Sequence, residues 1–124
     1  MHELSIAHEI YRTSRAAVAE HGRGRIETVK VAVGELSAVE PDLLVYAWEA
    51  VVGGGPDAGA RLEVEWHPAV QHCPSCGQQA ERAAGSWLRL CPACGQALAI
   101  EGGDELDVLQ VAFVPAAEED VAND

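Results

Sequence analysis

Four cysteines, set out as two copies of one pentapeptide, constrain this chain more than any other feature. They lie in Cys73-Pro74-Ser75-Cys76-Gly77 and Cys91-Pro92-Ala93-Cys94-Gly95, and no other cysteine is present. A C-x-x-C pair wraps a tight turn, and two such turns bring four thiolates around one tetrahedral ion, most often Zn²⁺. The glycine after each pair admits a positive φ and lets backbone N–H groups point at sulfur. Fourteen residues separate Cys76 from Cys91, close to the usual spacing of four-cysteine sites. A thioredoxin-type redox motif needs one C-x-x-C beside a βαβ pattern, which two matched copies do not supply. Four cysteines in 124 residues with no basic-plus-apolar leader also argue against a disulfide framework. An Fe(Cys)₄ site of the rubredoxin type uses nearly the same knuckles, so the spacing leaves iron open. Four protein ligands fill the coordination shell, and the site is expected to be structural, not catalytic.

Charge narrows the partners. The chain has 20 acidic and 8 basic residues, a formal net charge of −12. Many four-cysteine ribbons bind nucleic acid through clustered Lys and Arg that neutralise phosphates. Here Lys30 is the only lysine, and the ribbon carries just Arg82 and Arg89. Nucleic acid is therefore an unsuitable partner; cations and basic protein surfaces suit an acidic chain. No apolar run approaches the roughly twenty residues of a membrane span, and a cytoplasmic protein is expected. Residues 67–103 hold too few apolar side chains to fold alone. A structural ion would supply folding free energy on the order of 10 kcal/mol.

The chain before and after the cysteines reads as an ordinary small core. Leu4, Ala7, Tyr11, Ser14, Ala17 and Val18 recur at helical steps, widened by Ile6 and Ile10, with Gly22 placed to end the helix. Ile26 to Val33 reads as a strand. Ser37 and Glu40 have capping-box spacing, and Pro41 suits the first turn of a second helix that runs to about Val52. That helix buries Leu44, Trp48 and Val51, and Gly53-Gly54-Gly55-Pro56 stops it in a flexible loop. Arg61 to His67 alternates, with Leu62, Val64 and Trp66 inward. Leu106 to Val114 is apolar on both faces and reads as a central strand. The predicted fold class is α+β: a three-stranded sheet with two helices, plus a zinc-ribbon mini-domain inserted between two strands. The expected division is 1–66 with 104–116 as the α+β domain, 67–103 as the ribbon, and 117–124 as a disordered acidic tail.

Five stretches, in order along nearly the whole chain, resemble the HypA/HybF family of hydrogenase maturation nickel metallochaperones. They are Met1-His2-Glu3-Leu4-Ser5-Ile6, Gly34-Glu35-Leu36-Ser37-Ala38-Val39-Glu40-Pro41, Gly59-Ala60-Arg61-Leu62-Glu63-Val64, the doubled C-P-x-C-G, and Gly103-Asp104-Glu105-Leu106. The Gly53–Gly55 loop and the acidic tail depart from the pattern without touching these motifs. The resemblance implies Ni²⁺ cargo bound at Met1 (through its terminal amine), His2 and Glu3, and a structural Zn²⁺ on Cys73, Cys76, Cys91 and Cys94. It also implies delivery to the large subunit of a [NiFe]-hydrogenase together with a maturation GTPase. Other nickel-enzyme accessory proteins are compatible partners, and so is a homodimer.

The chemistry of the terminus agrees with that implication. The Met1 amine, the deprotonated His2 amide and the His2 imidazole chelate one ion through adjacent rings, and the Glu3 amide offers a fourth nitrogen. Four nitrogens in a plane suit d⁸ Ni²⁺ or d⁹ Cu²⁺. The Glu3 carboxylate has three readings: ligand, hydrogen-bond partner of His2, or a negative charge favoured at a helix N-terminus. His8 and His21 read as surface positions. His67 and His72 flank the first knuckle as spare ligands or pH-responsive groups. Two rivals stand beside a non-catalytic nickel carrier. One is a rubredoxin-like electron carrier; the other is a zinc-ribbon interaction adaptor without metal cargo. No Ser/His/Asp order, open metal site or paired carboxylates point to an enzyme.

Overall fold

The computed structural model describes residues 2–80 and 86–115. Helix α1 (His2–Ala19) buries Ala7, Ile10, Ser14 and Val18, the three- and four-residue steps of one helical face. Strand β1 (Gly24–Gly34) follows and leads through a 3₁₀ turn (Glu35–Ser37) to helix α2 (Pro41–Val52), which buries Leu44, Ala47, Trp48 and Val52. Strand β2 (Arg61–His67) then runs parallel to β1, in register from Thr28↔Arg61 to Gly34↔His67. A parallel pair needs a crossover, and α2 supplies it. Strand β6 (Leu106–Pro115) closes the sheet antiparallel to β1, giving the order β2-β1-β6.

The two helices run parallel. Tyr11 meets Trp48 edge-on at 5.9 Å between ring centroids, and the Glu40 N–H donates to Glu3 at 3.2 Å across an offset of 37 residues. Both contacts share that offset, so α1 and α2 lie side by side with their N-termini together. Trp48, Leu44, Val29, Val33 and Ile26 fill the space between helices and sheet. The Trp48 indole N–H donates to the Ala60 carbonyl at 2.9 Å, which satisfies its polar atom inside that core.

A second small sheet holds the cysteine segment: β3 (Val70–His72) between β4 (Gln79–Ala80) and β5 (Ala99–Glu101), all antiparallel. The segment thus leaves the first sheet at one edge strand, β2, and returns at the other, β6. The crossing is stitched by backbone. Gly34 N–H donates to the Glu105 carbonyl at 2.8 Å, Leu36 N–H to the Gly103 carbonyl at 2.6 Å, and Ala69 N–H to Glu35 Oε1 at 3.0 Å. A side chain on Gly34 would collide with the Gly103 carbonyl, so only glycine permits this approach.

The α+β class with its three-stranded sheet, two helices and cysteine ribbon stands as expected. Three details differ. Strand β6 is an edge, not the centre; β1 is central, and none of β6 is fully buried. A run apolar on both faces therefore reflects partial cover, not burial on both sides. Trp66 is 47 % exposed near the end of edge strand β2, although its register partner Val33 on β1 is fully buried. The capping box is not formed: Ser37 Oγ accepts from Val39 N–H at 3.3 Å and donates to the Gly34 carbonyl at 2.8 Å. The N-cap residue of α2 is Glu40, and its N–H is taken by Glu3 of α1 instead. The acidic residues expected to form a tail lie outside the described residues, as do Met1 and Arg82.

Candidate metal sites

Each C-P-x-C-G turns the chain back on itself. Gly77 and Gly95 sit at φ 74° and 78°, and their N–H groups donate to the carbonyls of Cys73 and Cys91 at 2.8 Å each. The Cys76 N–H is aimed at sulfur, 3.4 Å from Cys73 Sγ. Below the knuckles, Cys73 N–H and Cys91 N–H donate to the Gln78 and Gln96 carbonyls at 2.9 and 2.7 Å, so the two turns are built alike.

The turns bring the four sulfurs within 4.8 Å of one another. Cys73 Sγ lies 3.3 Å from Cys94 Sγ, and Cys76 Sγ lies 3.8 Å from Cys91 Sγ. Four thiolates about 2.3 Å from a central ion stand about 3.8 Å apart, so the cluster fits a tetrahedral metal such as zinc. The electrostatics agree. The Cys76 N–H, helped by the adjoining Cys94 and Cys76 thiols and the Ser75 N–H, lowers Cys73 to about 6. At Cys94 the Gln96 N–H favours the thiolate, but the Cys73 sulfur, burial and the Cys91 sulfur outweigh it and push the thiol up to about 12. Four sulfurs this close cannot all ionise without a cation among them.

Neither His67 nor His72 belongs to the four-sulfur group among the described residues. His67 Nε2 is 2.7 Å from Glu65 and its Nδ1 is 3.4 Å from Glu105, which ties the end of β2 to the start of β6. His72 Nδ1 is 3.8 Å from Glu101. His21 packs its ring against Phe113 at 5.6 Å, and His8 is exposed.

At the other end of the chain, His2 opens α1 with its side chain 56 % exposed. Its Nδ1 is 3.6 Å from Glu3 Oε2. Of the three readings of the Glu3 carboxylate, the geometry provides a partner for two: it holds the Glu40 N–H and it faces His2. The Glu40 N–H, with the Glu3 N–H and the neighbouring imidazole, keeps this carboxyl below the ordinary carboxylate range.

Two anchoring residues escaped the sequence reading. Asp57, in the glycine loop, is fully buried and accepts from the Ile26 N–H at 2.8 Å and the Tyr11 hydroxyl at 2.6 Å, with the Arg15 guanidinium at 3.4 Å. It joins the α2–β2 loop to α1 and β1, and burial together with that carboxylate raises the Tyr11 phenol. Gln71 is buried beside the first knuckle; its amide donates to the Leu88 carbonyl at 2.7 Å and accepts from the Leu88 N–H at 3.0 Å. That pair pins the approach to the second knuckle against β3. A proline-and-glycine loop gives no sign that its aspartate is buried, and a glutamine between strand residues reads as solvent-facing.

A family model described as hydrogenase/urease nickel incorporation, metallochaperone, hypA, matches residues 1–113. The chain belongs to the HypA family. Among curated relatives named hydrogenase maturation factor HypA, that of Chloroflexus aurantiacus is 42 % identical over 73 residues, 59 % of this chain and 64 % of the relative. That of Deinococcus radiodurans is 41 % identical over 73 residues, again 59 % of this chain, and 61 % of the relative. The matched part thus spans less than two thirds of those HypA proteins. The solution structure of the Ni metallochaperone HypA from Helicobacter pylori covers 91 % of this chain and 97 % of its own, with TM-score 0.59 and 21 % identity. A second HypA solution structure covers 92 % and 97 % at TM-score 0.63 and 23 % identity. Such likeness is one of fold. No helix among the described residues is long and apolar enough to cross a membrane.

Proposed function

We propose that this chain carries Ni²⁺ on its N-terminus and hands it over during [NiFe]-hydrogenase maturation, with a structural Zn²⁺ in the ribbon. The observation that carries the reading is the position of His2: exposed, in the first turn of a long helix, and separate from the closed four-sulfur cluster. The first N–H groups of a helix have no i−4 partner inside it, so deprotonating the His2 and Glu3 amides breaks no rung of the α1 ladder. Five-membered chelate rings through successive backbone nitrogens need ψ near zero, against about −42° in a helix. Loading therefore flattens the first turn of α1 by about 40° per residue and turns the His2 imidazole away from Glu3. Met1 contributes its amine, His2 its amide and imidazole, and Glu3 its amide. The Glu3 carboxylate stays on α2 and holds the loaded turn beside it.

The division of labour follows. Residues 1–66 and 104–116 form the nickel-carrying domain, residues 67–103 the ribbon, and residues 117–124 an acidic tail. Cys73, Cys76, Cys91 and Cys94 hold the resident ion, whose role is to fold the ribbon. The carrier performs no catalytic step; a maturation GTPase and the hydrogenase large subunit act on the cargo with it. A four-thiolate site requires reduced cysteines, which fits the cytoplasm. The test is nickel titration of untagged protein with its native N-terminus, followed by optical absorption, beside His2→Ala. Loss of nickel binding in the variant, with one zinc per chain retained, supports the carrier; equal binding by both proteins ends it.

A further inference from the structure

We propose that the outer face of α2, carried by Leu43 and Tyr46, is the surface on which the nickel-receiving partner docks, and that the partner meets it with an apolar pocket bordered by lysine or arginine. The inference rests on the carrier reading above.

The fold does not need these two side chains. Leu44, Ala47, Trp48 and Val52 face the core from α2, while Leu43 and Tyr46 on its outer side are 55 % and 74 % exposed. Residues three apart are neighbours on a helix, so the leucine and tyrosine form one raised apolar patch. Exposed aromatic anchors of this kind are enriched among residues that dominate binding energy at interfaces.

The place of the patch decides what it serves. The Glu40 N–H is bonded to Glu3, so the start of α2 stands beside His2. At 1.5 Å rise per residue, Leu43 is about 5 Å and Tyr46 about 9 Å along α2 from that bond. Leu4, 39 % exposed, lies two helical turns before Tyr11 on α1, close to the same terminus. A protein seated here is within reach of cargo held by His2.

Charge selects the occupant. Helix α2 contains Asp42 and Glu49 and no basic residue, so the patch is bordered by negative charge. A second copy would press these carboxylates against their own kind, with a net charge of −12 on each chain. A basic border around an apolar pocket is the complement, and it would also speed encounter at low salt.

The test uses Leu43→Glu/Tyr46→Ser, Tyr46→Phe and Asp42→Lys/Glu49→Lys, with His2→Ala in parallel. Each full chain is titrated with nickel, sized by light scattering, measured for affinity to the purified nickel-free hydrogenase large-subunit precursor, and returned to cells for hydrogenase activity. The expected result for Leu43→Glu/Tyr46→Ser is unchanged nickel affinity and helix content, with partner affinity and maturation down at least about tenfold. Tyr46→Phe should keep both. Asp42→Lys/Glu49→Lys should weaken partner binding most at low salt. Normal partner affinity and maturation in Leu43→Glu/Tyr46→Ser, with His2→Ala defective, overturns the docking surface alone. Normal maturation in His2→Ala overturns the carrier reading and this inference with it. A wild-type dimer that Leu43→Glu/Tyr46→Ser dissociates, with partner affinity intact, assigns the face to a second copy and also overturns the proposal.

Discussion

The α+β region and the cysteine ribbon are held together by different physics. In the first, Trp48, Leu44, Ile26 and the valines of β1 leave water together, and polar atoms inside find partners such as Asp57 and the Ala60 carbonyl. In the second, the buried groups are mainly Cys73, Cys91, Gln71 and Ala69, while the knuckle residues between the cysteines are exposed. Apolar burial stabilises the first by many small increments; an ion in the four-sulfur cluster would stabilise the second in a single step. The two kinds of metal site follow this division. The closed site lies where metal is the core, and the open candidate lies at a helix end where the fold does not depend on the ligands. The proposed carrier role calls for both properties: one ion retained and one ion released.

The largest effect is expected from removing the ribbon's metal ligands while leaving the α+β core untouched. Cys73→Ser/Cys91→Ala, or prolonged chelation, should remove a folding contribution on the order of 10 kcal/mol from the ribbon. Amide hydrogen exchange should then show protection lost in β3, β4 and β5 but kept in α1, β1 and α2. Loss of protection in both regions would mean that the Gly34–Glu105 and Leu36–Gly103 bonds make them one cooperative unit. A smaller effect lies on the core side. Asp57→Ala leaves the Ile26 N–H and the Tyr11 hydroxyl without their acceptor, at a cost of about 1–3 kcal/mol in urea unfolding. Metal content should stay at one ion per chain, because none of these groups touches the ribbon. The smallest effect concerns pH. The Glu3 carboxyl is lowered from its ordinary 4.5, chiefly by the Glu40 N–H. A lowered folded-state value stabilises the fold above the unfolded-state value and loses that contribution as pH falls through the folded one. Carboxyl NMR should find Glu3 titrating below its ordinary value, and Glu3→Gln should flatten the acid limb of the stability curve.

Legibility in the sequence divides along the same line. The ribbon was readable because four sulfurs around one ion permit few spacings, and the knuckle glycines at positive φ follow from that turn. Helices α1 and α2 were readable because one face is buried and the apolar period records it; the alternation of β2 located the strand but not its burial, since only Leu62 is buried. What escaped was decided by neighbours distant in sequence. Whether β6 is central depends on which strands pair with β1, and its own residues do not encode that. Local spacing points to Ser37 as the N-cap of α2, but Glu40 holds that position and its N–H is bonded to Glu3, 37 residues away. Asp57 looks like loop punctuation until Tyr11 and Ile26 close over it. His2 itself carries little signal in isolation; the motifs around it gave it meaning.

The most direct test of the account is an exchange experiment on the native chain. Protein with one zinc is loaded with nickel, then challenged with a mild chelator while both metals are counted and the absorption spectrum is followed. If the cargo sits on the terminus, nickel leaves, zinc stays at one per chain, and no thiolate-to-nickel charge-transfer band appears at any stage. Nickel that displaces zinc and develops that band would place the cargo on the four cysteines, and the distinction between an open cargo site and a closed resident site would be wrong.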